Sequence, residues 1–222
     1  QIAFTMAPLV VHALGLVSTV LGIFCVQTHE SVVANGSSVS EESSLLQAEG
    51  GEDNDDVEDP MQVMKRGFFV SFLFSMLSIW LTCYFLLNVP EAPRAWIHFG
   101  ICGTIGLLTS VAIVLLTEYY TDYWYAPVRR IAEAATSGEG VAVIAGLSVG
   151  MESVALPMVV LSVAIVAVFS VGFTSGLEHR TASGLFGTAV GVIGMLSTSG
   201  FVLSMDVFGP ISDNAGGIAE MS

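Results

Sequence analysis

Asp206, Asp213 and Glu220 stand seven residues apart in the stretch MDVFGPISDNAGGIAEMS, Met205–Ser222. On an α-helix seven residues advance ~700°, nearly two whole turns, so the three carboxylates share one stripe with ~10.5 Å between successive Cα atoms. Two bare charges at that separation repel by ~1.6 kcal/mol at an effective dielectric of ~20. No Lys or Arg lies in the stretch. A helix with this stripe therefore takes its cations from elsewhere in the protein or from metal ions. Carboxylate oxygens are the hard ligands that Mg²⁺ and Ca²⁺ prefer. On a straight helix one ion is not shared by two of these acids, so several ions, or an ion bridged to an anionic substrate, fit better. Pro210 cannot donate to the carbonyl of Asp206, which leaves a free acceptor and predicts a kink. Gly209, Gly216 and Gly217 let a second helix or a ligand near the backbone. Spacing alone leaves one other reading open, a solvated helix end with scattered acids.

A second cluster is TEYYTDYWYAPVRR, Thr117–Arg130. Tyr119, Tyr120, Tyr123, Trp124 and Tyr125 predict an aromatic belt where a helix leaves the bilayer, anchored by Arg129 and Arg130. Glu118 lies at the inner boundary of that helix, where a carboxylate is paired or faces an aqueous cavity. Other signals are weaker. GLSVG, Gly146–Gly150, has the GxSxG spacing of a nucleophile elbow around Ser148, but it sits in a helical Ala/Val run instead of a strand-to-helix turn. No GxxxxGK[ST] occurs, and the single lysine, Lys65, reads as part of a loop. His12, inside an apolar run, reads as a buried, hydrogen-bonded imidazole. Cys25, Cys83 and Cys102 read as small packing residues, the Cys25/His29 and His98/Cys102 pairs being too sparse for a metal site.

The elements that position these residues are membrane helices. Of 222 residues 53% are hydrophobic and 12% charged, the latter about half the usual globular share. Five apolar stretches, at about 2–26, 68–87, 96–117, 141–173 and 185–205, are long enough, or nearly so, to cross a ~30 Å hydrocarbon core at ~1.5 Å per residue. The fourth is too long for one straight span, so its part before Pro157 is expected to project or to kink there. Ten of the twenty acids fall between Glu30 and Asp59, in a segment (27–66) read as a solvated, mobile acidic loop. The net charge of −14 with six basic residues speaks against nucleic-acid binding. If all five stretches span, Lys65, Arg66, Arg129 and Arg130 share one side and Arg94 and Arg180 the other, which makes the first side cytoplasmic. The sequon Asn35-Gly36-Ser37 is then idle. GxxxG pairs at 146/150, 172/176 and 187/191 predict close helix packing. The chain opens on Gln1 and reads as an internal piece of a longer protein.

As a string, DVFGPISDNAGGIAEM resembles the signature of the membrane-bound, ion-pumping pyrophosphatases. A second resemblance lies in TEYYTDYWYAPVRRIAEAATSGEGVAVIAGLSVGMESVALP, where the family has a Glu-Tyr-Tyr-Thr run, a Pro-Val-Arg segment and a Gly-rich helix entry with Ser and Ala-Leu-Pro. Together these cover 117–222, and the first half is similar only as membrane helices. The resemblance implies an all-α integral membrane protein whose five transmembrane helices belong to a larger multi-helix fold, in a homodimer embedded in the lipid bilayer. It implies hydrolysis of Mg²⁺-pyrophosphate at a cytoplasmic-facing site, driving H⁺ or Na⁺ across the membrane, with K⁺ as a further candidate cation. Asp213 and Asn214 then contribute to substrate binding, and Asp213, Asp206 and Glu220 to metal binding. Glu118 becomes the candidate coupling residue. No complete catalytic set is expected in this chain, because the facing acids, the lysines and the ion gate lie in other segments. The implied location is vacuolar or acidocalcisomal in a eukaryote and the plasma membrane in a prokaryote. A secondary cation transporter and a non-catalytic membrane scaffold are the competing readings.

Overall fold

The computed structural model describes residues 2–26, 60–90 and 92–221. Those residues form seven helices: α1 (Ile2–Phe24), α2 (Pro60–Leu87), α3 (Ala95–Thr121), α4 (Ala126–Ala135), α5 (Glu139–Phe173), α6 (Arg180–Leu196) and α7 (Ser199–Met221). The acidic segment expected at 27–66 lies outside the described residues as far as 59. Residues 60–66 form the first turns of α2, so Lys65 stands on a helix and not in a loop. Four apolar windows are long enough to cross a bilayer, and α6 with α7, bent by 47° at the break between them, makes a fifth when counted as one span. The apolar stretch 185–205 is thus shared between two helices.

Apolarity makes the helices; small residues decide how they meet. A Cβ on Gly106 of α3 would overlap the carbonyl oxygen of Gly191 on α6, and one on Gly194 would overlap that of Gly103. Between α5 and α6, a Cβ on Gly187 would stand 2.9 Å from the Cα of Gly172. Backbones this close exclude any side chain at the crossing, the use that GxxxG spacing predicts. The pattern is not used everywhere. Gly146 and Gly150 face open space, and Gly176 adopts φ +86° just beyond the end of α5. Around the crossings the core is aromatic and aliphatic. Phe99 is fully buried and meets Phe186 and Phe4 edge-on, at ring separations of 4.8 and 6.1 Å. Trp80 Nε1 donates to Thr104 Oγ1 at 3.1 Å and ties α2 to α3.

The outer faces are apolar, as in helices that meet lipid or further helices. α5 exposes Val143, Leu147, Met151, Val159, Val163 and Val166 along its length. Its 35 residues reach about 52 Å, well beyond a ~30 Å core. Its early turns run beside the charged helix α4, where Arg130 pairs with Glu152 at 3.6 Å. Pro157 lies within α5 without ending it. Two readings from sequence change here: His12 is exposed on α1 instead of buried, and Cys25 is exposed where a packing residue was expected. Cys83 and Cys102 are buried, and Ser148 lies exposed in mid-helix, as its Ala/Val run indicated.

Candidate functional site

Beyond its first turn α7 leaves the bundle, and Phe201 is its one buried residue. The space it leaves is a cavity of about 1120 Å³ between α2, α3, the α3–α4 link and α7. Ile113 and Val114 on α3 with Val202 and Met205 on α7 give it an apolar end. Its polar lining includes Lys65, Glu118, Asp122, Asp206, Asp213 and Glu220. Every acid singled out from the sequence therefore borders one half-open cavity: the stripe of α7 on one wall, Glu118 on the other. The helix runs unbroken through Pro210, which keeps the seven-residue spacing in register. Asn214 also lines the cavity, with its Nδ2 donating to the carbonyl of Pro210 at 2.8 Å.

Lys65 Nζ stands 2.6 Å from Glu118 Oε1, a charge-assisted hydrogen bond between α2 and α3. The two side chains are 25% and 18% exposed, so water screens them less than a surface pair. Sequence reasoning gave Lys65 no role. The signal was nonetheless present: the only lysine sits at the edge of one apolar run, and Glu118 at the edge of another on the same predicted side of the membrane. Tyr123 and Trp124, two of the aromatic belt residues, double as cavity wall. The backbone N–H of Trp124 donates to Asp122 Oδ1 at 3.2 Å and holds the turn after α3.

The donor set suits a hard cation, since it is made of carboxylates. Among the described residues no three His, Cys, Asp or Glu converge on one point. Asp206, Asp213 and Glu220 are exposed, and each offers a separate carboxylate from one wall. An ion held there would draw one ligand from each acid it touches and the rest of its ~6 oxygens from substrate, water or other segments.

Lipid-length apolar helices, glycine-mediated crossings and an acid-lined cavity at one end define a multi-pass, all-α integral membrane protein with a polar site. The family model for inorganic H⁺ pyrophosphatase matches residues 1–222, and the chain belongs to that family. The match takes in the first half as well, which the motifs alone had not reached. The chain is 43% identical over 222 residues to the pyrophosphate-energized membrane proton pump 3 of Arabidopsis thaliana, covering 99% of this chain and 25% of that protein. It is 37% identical over 215 residues to the K(+)-insensitive pyrophosphate-energized proton pump 2 of Moorella thermoacetica, covering 97% and 27%. A relative from Bacteroides thetaiotaomicron, whose name ascribes to it K(+)-stimulated, pyrophosphate-energized sodium pumping, is 31% identical, with 100% of this chain and 26% of that protein covered. The chain spans about a quarter of the length of these relatives.

Proposed function

We propose that the full protein hydrolyses Mg²⁺-pyrophosphate at a cytoplasmic-facing site and couples the reaction to pumping of H⁺, or of Na⁺, across its membrane. The observation that carries this is the cavity uniting Asp206, Asp213 and Glu220 with the Lys65–Glu118 pair. Pyrophosphate is a compact polyanion that bare carboxylates repel. Bound Mg²⁺ neutralises phosphate oxygens and stabilises the leaving phosphate. In this reading Asp213 is the principal metal and substrate anchor, with Asp206 and Glu220 adding carboxylates to either side along α7. Asn214, next to Asp213, contributes its amide oxygen, its Nδ2 being engaged by Pro210. Glu118, held by Lys65 across from this wall, is assigned to coupling. K⁺ is a candidate second cation, because the names of relatives differ over it. Lys65, Arg66, Arg129 and Arg130 on the cavity side support its cytoplasmic orientation. A homodimer completes the proposal.

The test is Asp213→Asn in the full-length protein. The amide keeps the size and loses the charge, so Mg²⁺-dependent phosphate release and ion uptake by sealed vesicles should both nearly vanish while expression holds. Near-normal values of both would remove the metal-site reading and leave a solvated helix end.

A further inference from the structure

Among the described residues, the helix that carries the acids buries only Phe201, close to its root, so the contacts there bear on its direction. That root is the break between α6 and α7, where the two helices meet at 47°. Thr198 sits in the break, fully buried, and its Oγ1 lies 2.9 Å from Oγ of Ser110 on α3, itself 6% exposed. The backbone N–H groups of Phe201 and Val202 donate to the carbonyl of Thr198, which opens α7. A threonine at a helix start ordinarily turns its hydroxyl to that helix's own first N–H groups. The hydroxyl bond of Thr198 instead runs sideways to α3. On the opposite side Thr19 Oγ1 of α1 donates to the carbonyl of Ser197 at 3.2 Å. The space around the break is closed. A Cβ on Gly15 would stand 3.0 Å from Ser197 Cβ, and one on Gly200 would stand 2.7 Å from Thr19 Cγ2.

We propose that Ser110 and Thr198 are positioning residues, whose hydrogen bond fixes the angle at which α7 leaves the bundle and so the place of its acids across the cavity from Lys65 and Glu118. The proposal rests on the reading of Asp213 given above for its effect on hydrolysis, though not for its effect on geometry. Asp213 lies fifteen residues beyond Thr198, ~22 Å along the helix. A swing of ~5° about the break moves it by ~2 Å, which is enough to weaken its hold on a bound metal–substrate complex. A single buried hydroxyl pair at the fulcrum therefore has leverage at the site that one on the shaft of α7 would lack.

The experiment uses the full-length protein with spin labels at Gln62→Cys on α2 and Ala215→Cys on α7, its native cysteines replaced. Neither labelled position lines the cavity. Ser110→Ala, Thr198→Val and the double substitution are compared with Thr198→Ser, which keeps the hydroxyl. Ser110→Ala removes one oxygen atom and serves where Thr198→Val fails to express. The expected result is a displaced or broadened label distance, by ~2 Å or more, in both single variants. KM for Mg²⁺-pyrophosphate should rise about fivefold, the scale of one net hydrogen bond, with kcat changed less. The double variant should match the singles, and Thr198→Ser should restore both readouts. An unchanged distance in Ser110→Ala overturns the positioning role whatever hydrolysis does. A displaced distance with unchanged KM upholds the lock and overturns the assignment of Asp213 instead.

Discussion

α6 and α7 are the two arms of one bent helix pair, and they treat their faces in opposite ways. α6 buries Ser183, Gly184, Gly187, Val190, Gly191 and Gly194, a face made almost wholly of residues with little or no side chain. α7 buries Phe201 alone and turns Asp206, Asp213 and Glu220 into a cavity. The first half is spent on packing: α3 and α5 approach it so closely that a Cβ would overlap backbone atoms. Among the described residues the second half buries only Phe201, and its carboxylates repel one another without adding a contact. A helix built that way contributes little to the stability of these residues and much to the charge of the space beside it. The difference teaches that small residues and acids on one bent pair divide close packing from exposed charge at a single break.

The sharpest test of that division is steric. Gly106→Leu places a side chain where the carbonyl of Gly191 stands. Overpacking of a tight site costs about 1–3 kcal/mol or more, and here backbone has to move, so little folded full-length protein should be recovered in detergent. Normal yield and thermal stability would show that the α3–α6 crossing is looser than described.

Asp213→Asn should be the converse, with activity nearly lost and stability within about 0.5 kcal/mol of the parent. Asp206→Asn, about two turns nearer the break, should be milder on hydrolysis and lower the number of ions moved per pyrophosphate. Thermal unfolding beside phosphate release and ion uptake by sealed vesicles decides both. Destabilisation by Asp213→Asn comparable to that of Gly106→Leu would erase the contrast between the two halves.

An intermediate effect is expected at the pair that links α2 to α3. Lys65→Met leaves Glu118 as a half-buried, unpaired carboxylate and should cost about 1–3 kcal/mol. Adding Glu118→Gln should recover most of that loss. A double-mutant cycle on unfolding midpoints measures the coupling, expected on the order of 1 kcal/mol. Strict additivity would mean that the 2.6 Å contact adds nothing to stability.

The smallest effect is the control. Gly146 faces open space on α5, so Gly146→Ala should be neutral or stabilise by up to about 1 kcal/mol through helix propensity. The same substitution at Gly187 should destabilise, since its Cβ would press on the backbone of α5. Equal outcomes at the two positions would mean that the motif, and not the contact, governs packing.

Much of this was legible in residue order. Hydropathy is summed along the chain and needs no partner, so the apolar stretches mark the helices closely, and α5 and α1 differ from the expected 141–173 and 2–26 by only a few residues. The seven-residue acid spacing is likewise a property of one helix, and it survives Pro210 because a proline removes a single internal hydrogen bond without requiring the helix to stop. The strings around Asp213 and Glu118 pointed to the family that the whole chain matches. Tertiary structure decided which features meet. Lys65 and Glu118 are 53 residues apart, and their contact depends on how α2 and α3 are rotated about their own axes. Of the glycine pairs, only those facing another backbone became crossings; Gly146 and Gly150 have the same spacing and no neighbour among the described residues. The break at Ser197–Thr198 is met by hydroxyl partners supplied by α1 and α3, Thr19 and Ser110. A chain's own residues set the length and period of each helix, but its rotation and bend follow from the surfaces it packs against.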